Sequence, residues 1–245
     1  MPGLPPPAYE DIAQLIDHAL LTPTLSRGAL VEGCESARAY GVASVCILPY
    51  AVKLAAGVLA GSPTRVSTTV GFPHGGHCTS TKVAEAARAL EDGAVELDMV
   101  VNLSAVKGGD FATVSADVGA VLQVCRAHRA KLKVIFETAS LTESETRILC
   151  ELCGTLGVDW VKTSTGFGPA GASDAALVLM RTHSPPSVQV KASGGIRDYD
   201  RVLAVRALGV TRVGTSHTAV ILDECRRRMG LPPIGAGIAS PSAGY

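Results

Sequence analysis

The chain has 245 residues, of which 47% are hydrophobic and 18% are charged, and its 22 basic and 22 acidic side chains give a formal net charge of zero. A neutral chain gives no electrostatic reason to expect nucleic acid or an anionic membrane as a partner. Aromatic residues make up only 4% of the chain, which argues against a surface on which bases stack. The length suits one barrel-sized domain or two small domains.

The sequence shows neither a secretory pattern nor a membrane-spanning one. No window approaches eighteen consecutive apolar residues, and the N-terminal stretch MPGLPPPAYEDI has no basic region followed by an apolar one. We therefore expect a cytoplasmic location. Seven cysteines, an odd number in a long chain, indicate reduced thiols. We interpret the isolated CELC motif, Cys150 to Cys153, as two small residues on a helix and not as a metal or redox site.

Short β-rich runs alternate with longer amphipathic runs from one end of the chain to the other. Eight runs predict strands, over residues 15–21, 44–49, 65–71, 95–101, 132–138, 159–164, 188–193 and 211–216. Between them, helices are predicted over residues 30–40, 80–93, 110–128, 143–157, 172–183 and 199–209. Ser26, Asp110 and Thr142 stand where N-caps are expected.

This alternation predicts parallel strands joined by right-handed crossovers. Eight such units in a chain of this length predict a TIM (β/α)8 barrel, an α/β single domain over residues 9–230 with an additional N-terminal helix. Residues 1–8 and 231–245 are expected to be flexible segments. A doubly wound open sheet is the alternative, although no G-x-G-x-x-G motif follows the first strand.

Polar side chains collect at the C-terminal ends of the predicted strands, where such barrels have their active sites. They are Asp17, Cys46, Asp98, Glu137, Lys162 and Lys191. A lysine is a nucleophile only when it is deprotonated, and burial beside a second ammonium group lowers its pKa from about 10.4. One such lysine would be read as an ion pair or as a side chain reaching for solvent. Two lysines near a carboxylate instead predict Schiff-base catalysis.

Two loops after the last strands carry the pattern of a phosphate site. The stretches SGGIR and GTSH follow the seventh and eighth strands, where barrels of this type frequently bind phosphate through backbone amides. Gly194 and Gly195 allow close approach of the backbone, and Ser216 offers a hydroxyl. The alternative is that the two glycines only form a tight turn.

Six motifs together resemble one family. VKTSTGF, VKASGGIR, ELDMVVN, IDHALLTPT, SVCILP and GTS, spread over about residues 9 to 229, resemble deoxyribose-phosphate aldolases, class I aldolases on a TIM barrel. The resemblance implies that Lys162 forms the Schiff base, that Lys191 lowers its pKa and exchanges protons, and that Asp98 is a proton donor and acceptor. It further implies a substrate pocket of Asp17, Thr22 and Cys46, and a phosphate site of Gly166, Gly194, Gly195, Arg197, Gly214, Ser216 and His217.

The activity that this resemblance implies is the reversible cleavage of 2-deoxy-D-ribose 5-phosphate to D-glyceraldehyde 3-phosphate and acetaldehyde, in deoxyribose phosphate catabolism. No metal and no cofactor is expected, and the expected partners are small phosphosugars and aldehydes, with a homodimer or homotetramer as the assembly. His217 departs from the family pattern, which usually has Ser or a small residue there. It would either add charge beside the phosphate or narrow the site.

Two further features allow alternative interpretations. The loop GFPHGGHC carries His74, His77 and Cys78, which are zinc-ligand types, so a metal-dependent aldolase is one alternative. A barrel that binds phosphosugars without turning them over is another. Tyr245 ends a Gly-, Ala-, Ser- and Pro-rich tail, and it is either a lid residue that supplies a phenol at the barrel mouth or part of a disordered end.

Overall fold

Eight parallel strands close into a barrel in sequence order, β1 through β8. The computed structural model of the chain describes residues 7–235, and the predicted lid residue Tyr245 lies outside them. The strands are β1 (Ile16–Leu20), β2 (Ser44–Ile47), β3 (Arg65–Val70), β4 (Glu96–Val100), β5 (Lys131–Ile135), β6 (Trp160–Lys162), β7 (Gln189–Ser193) and β8 (Val210–Thr215). The predicted TIM barrel is confirmed, and the open-sheet alternative is wrong.

The helices cover the outside of the barrel. They are α1 (Tyr9–Ala13), α2 (Arg27–Tyr40), α3 (Val52–Val58), α4 (Thr79–Glu91), α5 (Leu103–Lys107), α6 (Phe111–Ala127), α7 (Glu143–Leu156), α8 (Asp174–His183), α9 (Tyr199–Ala207) and α10 (Thr218–Arg228). The additional N-terminal helix is α1, whereas α3, α5 and α10 were not predicted. None of the helices between residues 7 and 235 is both long and apolar enough to cross a membrane.

Local sequence explains where several helices begin and end. The side chains of Ser26, Asp110 and Thr142 accept hydrogen bonds from backbone N–H groups in the first turns of α2, α6 and α7, as predicted. Gly41 and Gly157 end α2 and α7 in the left-handed conformation that glycine adopts without a Cβ penalty.

The strands carry apolar side chains outward and polar ones inward. In β4, Leu97 and Met99 belong to the hydrophobic core between strands and helices, whereas Asp98 contacts lysines from other strands inside the barrel. The register places Lys162 beside Lys191 on the neighbouring strand. The interior of this barrel therefore carries charged side chains, where apolar layers are more usual.

The described start of the C-terminal segment lies against α10. Asp223 accepts hydrogen bonds from the backbone N–H groups of Ile234 and Gly235, at 2.8 and 3.3 Å, and Arg226 donates to the Pro232 carbonyl at 2.6 Å. The predicted domain limits and the predicted flexibility of residues 1–8 and 231–245 stay predictions.

Candidate active site

Among residues 7–235, seven charged side chains are buried inside the barrel. They are Asp17, Glu96, Asp98, Lys133, Lys162, Lys191 and Arg212, each at most 5% exposed. A buried charge is tolerated only when it is paired and hydrogen-bonded. These side chains meet that condition by binding one another, so the cluster acts as one electrostatic unit.

Asp98 lies at the centre of the upper layer of this cluster. Its Oδ2 accepts hydrogen bonds from the Nζ atoms of Lys162 at 2.8 Å and Lys191 at 2.7 Å, and its Oδ1 accepts one from Lys133 at 2.8 Å. The structure thus brings together the two lysines and the aspartate that were predicted as catalytic residues. Lys133 is a third lysine in the same contact.

A second layer lies below, toward the N-terminal end of the barrel. Asp17 accepts from Lys191 at 2.6 Å, from Arg212 at 2.5 Å and from the Ser44 hydroxyl at 2.8 Å. Glu96 pairs with Lys133 at 2.7 Å and with Arg212 at 3.0 Å. Asp17, predicted as a pocket residue, therefore connects the upper layer to the lower one.

The cluster contains four cationic side chains and three carboxylates. Arg65 also reaches Glu96, at 3.4 Å, but its side chain is 46% exposed and solvent screens its charge. Among the residues that the structure describes, Asp98 is the one carboxylate paired with Lys162, and it is shared with two other lysines. Lys162 is therefore the least compensated of the buried cations.

The pKa directions follow from this arrangement. Burial lowers the pKa of Lys162, and the nearby Lys191 charge lowers it further, against the opposing effect of Asp98. Burial also opposes the charge on Lys191, but Asp17 and Asp98 outweigh it and raise the pKa of Lys191. The pKa of Lys133 is likewise held above its usual range, since its three carboxylate neighbours overcome burial. Of the three lysines in this cluster, Lys162 is thus the one that loses its proton most easily.

A cleft of about 830 Å³, including the part open to solvent, lies above this cluster at the C-terminal ends of the strands. Its lining includes all the predicted phosphate-site residues: Gly166, Gly194, Gly195, Arg197, Gly214, Ser216 and His217. Lys162, Lys191, Asp17 and Cys46 also line it. Thr22, predicted as a pocket residue, is half-buried two residues beyond β1, and within residues 7–235 the lining includes its neighbour Leu21 instead.

The backbone at the predicted phosphate end depends on glycine. Gly166, Gly194 and Gly195 have φ angles of +89°, +82° and +77°, which residues with a Cβ atom rarely adopt. His217 lies next to the Ser216 hydroxyl, with its Nδ1 at 3.3 Å. Burial and the charge of Arg197 lower the pKa of His217, so the neutral imidazole is favoured near pH 7.

Sequence reasoning missed Lys133, Glu96 and Arg212. The signal was present in the strands. In β4 the charged residues Glu96 and Asp98 alternate with apolar residues, and in β5 Lys133 lies between Leu132 and Val134. A charged residue at every second position of a buried parallel strand indicates a polar barrel interior.

The loop with the candidate zinc ligands follows β3. Within residues 7–235, no three His, Cys, Asp or Glu side chains are grouped so that they could hold a metal ion. His74, His77 and Cys78 therefore form no ligand set with one another or with other described residues, and the metal-dependent alternative gains no support from this loop.

Comparisons with known proteins agree with the geometry. Residues 12–212 match the DeoC/LacD family of aldolases. The chain is 51% identical to a deoxyribose-phosphate aldolase of Rhodopirellula baltica, covering 97% of this chain and 98% of that protein. It is 45% identical to that of Thermococcus gammatolerans, covering 88% and 97%. A tetrameric deoxyribose phosphate aldolase of Aeropyrum pernix superposes with a TM-score of 0.83 at 28% identity, covering 89% and 92%. The resemblance predicted from the strand-end motifs is confirmed, and the chain belongs to the DeoC/LacD family of aldolases.

Proposed function

We propose that the protein reversibly cleaves 2-deoxy-D-ribose 5-phosphate to D-glyceraldehyde 3-phosphate and acetaldehyde through a Schiff base on Lys162. The observation that carries this proposal is the contact of Lys162 and Lys191 with one oxygen of Asp98, at 2.8 and 2.7 Å, beneath an open cleft. A buried amine with a lowered pKa beside a proton donor and an acceptor is what imine chemistry requires.

The first step joins the substrate to the enzyme. Neutral Lys162 Nζ attacks the C1 aldehyde carbon of the open-chain sugar and forms a carbinolamine. Lys191, whose pKa is raised by Asp17 and Asp98 against burial, is protonated and supplies the proton with which the C1 hydroxyl leaves as water. The product is an iminium ion, in which the positive charge on Lys162 Nζ draws electrons from C2.

The second step breaks the carbon–carbon bond. Neutral Lys191, with Asp98 and a bound water, accepts the proton of the C3 hydroxyl. The C2–C3 electron pair moves toward the iminium nitrogen, giving an enamine on Lys162 and free D-glyceraldehyde 3-phosphate. The same group returns the proton to C2 of the enamine. Water then adds to the resulting iminium ion and gives up a proton to Lys191, and acetaldehyde leaves as Lys162 is regenerated.

The phosphate end of the substrate is bound, on this proposal, by the loops after β6, β7 and β8. The backbone amides at Gly166, Gly194 and Gly195 supply hydrogen bonds without side-chain interference. Ser216 adds a hydroxyl. His217 gains affinity for a proton when a phosphate dianion binds beside it, which adds a charge-assisted contact.

The test is borohydride trapping with 2-deoxyribose 5-phosphate, followed by peptide mass mapping. We expect a reduced adduct on Lys162 in the wild type and in Lys131→Ala, a surface control whose lysine side chain is 56% exposed. Lys162→Ala is expected to give no adduct and no cleavage. Cleavage without any adduct, lost on addition of a chelator, would instead support the metal-dependent alternative. Binding without either would support the binding-only barrel.

We also propose that the protein assembles as a homodimer or a homotetramer in the cytoplasm. Large apolar side chains are exposed on the outer helices, with Val220 of α10 at 59% and Val178 of α8 at 48%, and Tyr50 in the β2–α3 connection is 74% exposed. A self-associating chain would cover such side chains. Size-exclusion chromatography with light scattering measures the assembly directly, and a monomeric mass at micromolar concentration would rule it out.

A further inference from the structure

Glu137 is a buried carboxylate that the proposed reaction does not use. It follows β5 and is 4% exposed. Its backbone is left-handed, with a φ of 57°, one of two such non-glycine residues among those described. Residues held in sparsely populated backbone conformations cluster at functional sites, because the surrounding structure must hold them there.

The carboxylate of Glu137 is hydrogen-bonded to the loop that follows the candidate Schiff-base lysine. Its Oε2 accepts hydrogen bonds from both the backbone N–H of Thr165, at 3.1 Å, and the Thr165 hydroxyl. The same hydroxyl oxygen accepts a hydrogen bond from the backbone N–H of Phe167 at 3.0 Å. The Thr165 hydroxyl is thus both a donor, to Glu137, and an acceptor, from Phe167. It therefore connects the Glu137 carboxylate to the backbone two residues further along the loop.

The other side of the carboxylate is also packed against this loop. A Cβ on Gly168 would lie 2.7 Å from both the Cδ and the Oε1 atoms of Glu137, so the backbone there touches the carboxylate directly. Glu137 Oε1 is buried without a hydrogen-bond partner among the described residues. A carboxylate oxygen left unpaired in this way is unfavourable for stability alone.

The loop segment that Glu137 holds forms one wall of the cleft. Thr165, Gly166 and Phe167 all line it, and the Phe167 ring meets the Phe72 ring edge-on, with centroids 5.3 Å apart. Further along the same loop, Gly171 packs against the backbone of Gly194 in the β7 loop. The loop held by Glu137 therefore borders the β7 glycine loop of the proposed phosphate site.

We propose that Glu137 is a positioning residue that holds residues 165–168 in the conformation that receives the substrate phosphate. The proposal rests on the proposed function for the identity of that substrate. It assigns Glu137 no contact with the reacting atoms. Its loss should therefore weaken binding of the phosphorylated end and leave imine chemistry on Lys162 intact.

The test compares Glu137→Ala, Glu137→Gln and Thr165→Val, with Glu143→Ala, an exposed residue of α7, as the control. For Glu137→Ala we expect KM for 2-deoxyribose 5-phosphate to rise about tenfold or more, while kcat changes less than about threefold. Kinetics with unphosphorylated 2-deoxyribose should stay near those of the wild type. Glu137→Gln keeps an acceptor for Thr165 and should recover most of the affinity, whereas Thr165→Val should follow Glu137→Ala.

Equal losses with both sugars, or a lower Tm with unchanged kinetics, would overturn the proposal. Hydrogen exchange gives a second readout that needs no turnover. Peptides covering residues 163–171 should exchange faster in Glu137→Ala, or in Thr165→Val if the alanine variant does not fold, while those from β3 and β4 stay protected. A wild type inactive on both sugars would refute the proposed function, and faster exchange confined to residues 163–171 would still support the positioning role.

Discussion

Replacing Lys191 with methionine tests whether its charge keeps Lys162 deprotonated. Both ammonium nitrogens bind Asp98 Oδ2, at 2.8 and 2.7 Å. Two charges about 5 Å apart, at an effective dielectric constant of about 20, repel by about 3 kcal/mol, a factor of about 10² in the deprotonated fraction of the amine. Removing one charge should raise the pKa of Lys162 and reduce its reactive fraction at pH 7 by that order.

The assay isolates imine formation from carbon–carbon cleavage. Acetaldehyde and cyanoborohydride convert a reactive Lys162 into an ethylated lysine, and the rate is followed by mass spectrometry from pH 6 to pH 10. We expect Lys191→Met to react at least about a hundredfold more slowly than the wild type at pH 7. The difference should narrow toward alkaline pH, where only the loss of Lys191 as proton donor remains. Lys131→Met, which removes a surface lysine from β5, should behave like the wild type.

The shape of the pH profile decides the outcome. A variant that is slower by the same factor at every pH would show that Lys191 acts only as a proton donor and not through its charge on Lys162, and the electrostatic reasoning would be wrong. Loss of folding would not explain a shifted profile, because Asp17 keeps its contact with Arg212 and Asp98 keeps its contact with Lys133. Circular dichroism at each pH confirms that the variant is folded during the assay.

Three further predictions concern other parts of the molecule. Asp98→Asn removes the negative charge that favours protonated Lys162, so trapping of Lys162 by acetaldehyde should persist. Turnover should fall about 10²- to 10⁴-fold, because acid–base catalysis is lost. Loss of trapping together with turnover would contradict this prediction. A Cβ in Gly171→Ala would collide with the Gly194 carbonyl, so KM for the phosphosugar should rise about tenfold or more, whereas Gly57→Ala, which meets nothing within 4 Å, should not change it. Burial lowers the pKa of His18 to about 4. In the unfolded chain the pKa of His18 is about 6.5, so between pH 6.5 and pH 4 a proton binds the unfolded imidazole but not the folded one. This residue alone should therefore lower the free energy of unfolding by about 3 kcal/mol over that range. Urea unfolding of His18→Gln should lack that part of the pH dependence, and an identical dependence in both proteins would refute it.

Much of this barrel could be predicted from the sequence because the signals are local. Strand and helix periodicity predicted the eight units, and the loops SGGIR and GTSH lie at the cleft as expected. The short helices α3 and α5, of seven and five residues, were missed because they have too few turns to show a period.

The partners inside the barrel were harder to predict because they depend on register and closure. Asp98 lies opposite Lys133 on β5, which only the β4–β5 register determines. Arg212 meets Asp17 because β8 pairs with β1 where the sheet closes. Neither contact is visible in a single motif. Glu137 was predicted as a strand-end residue, but its hydrogen bond with Thr165 depends on the path of the loop after β6.

The charges of the buried cluster balance in the state that the proposed reaction needs. With Lys162 neutral, the three carboxylates are matched by Lys133, Lys191 and Arg212. Formation of the iminium places a positive charge on Lys162 Nζ, next to Asp98, while Lys191 gives up its proton to the departing water, so the net charge of the cluster is unchanged. Because like charges disfavour one another at this range, the iminium charge should keep Lys191 in its neutral form. On the proposed mechanism, covalent attachment of the substrate therefore prepares Lys191 to act as the base at the step that follows.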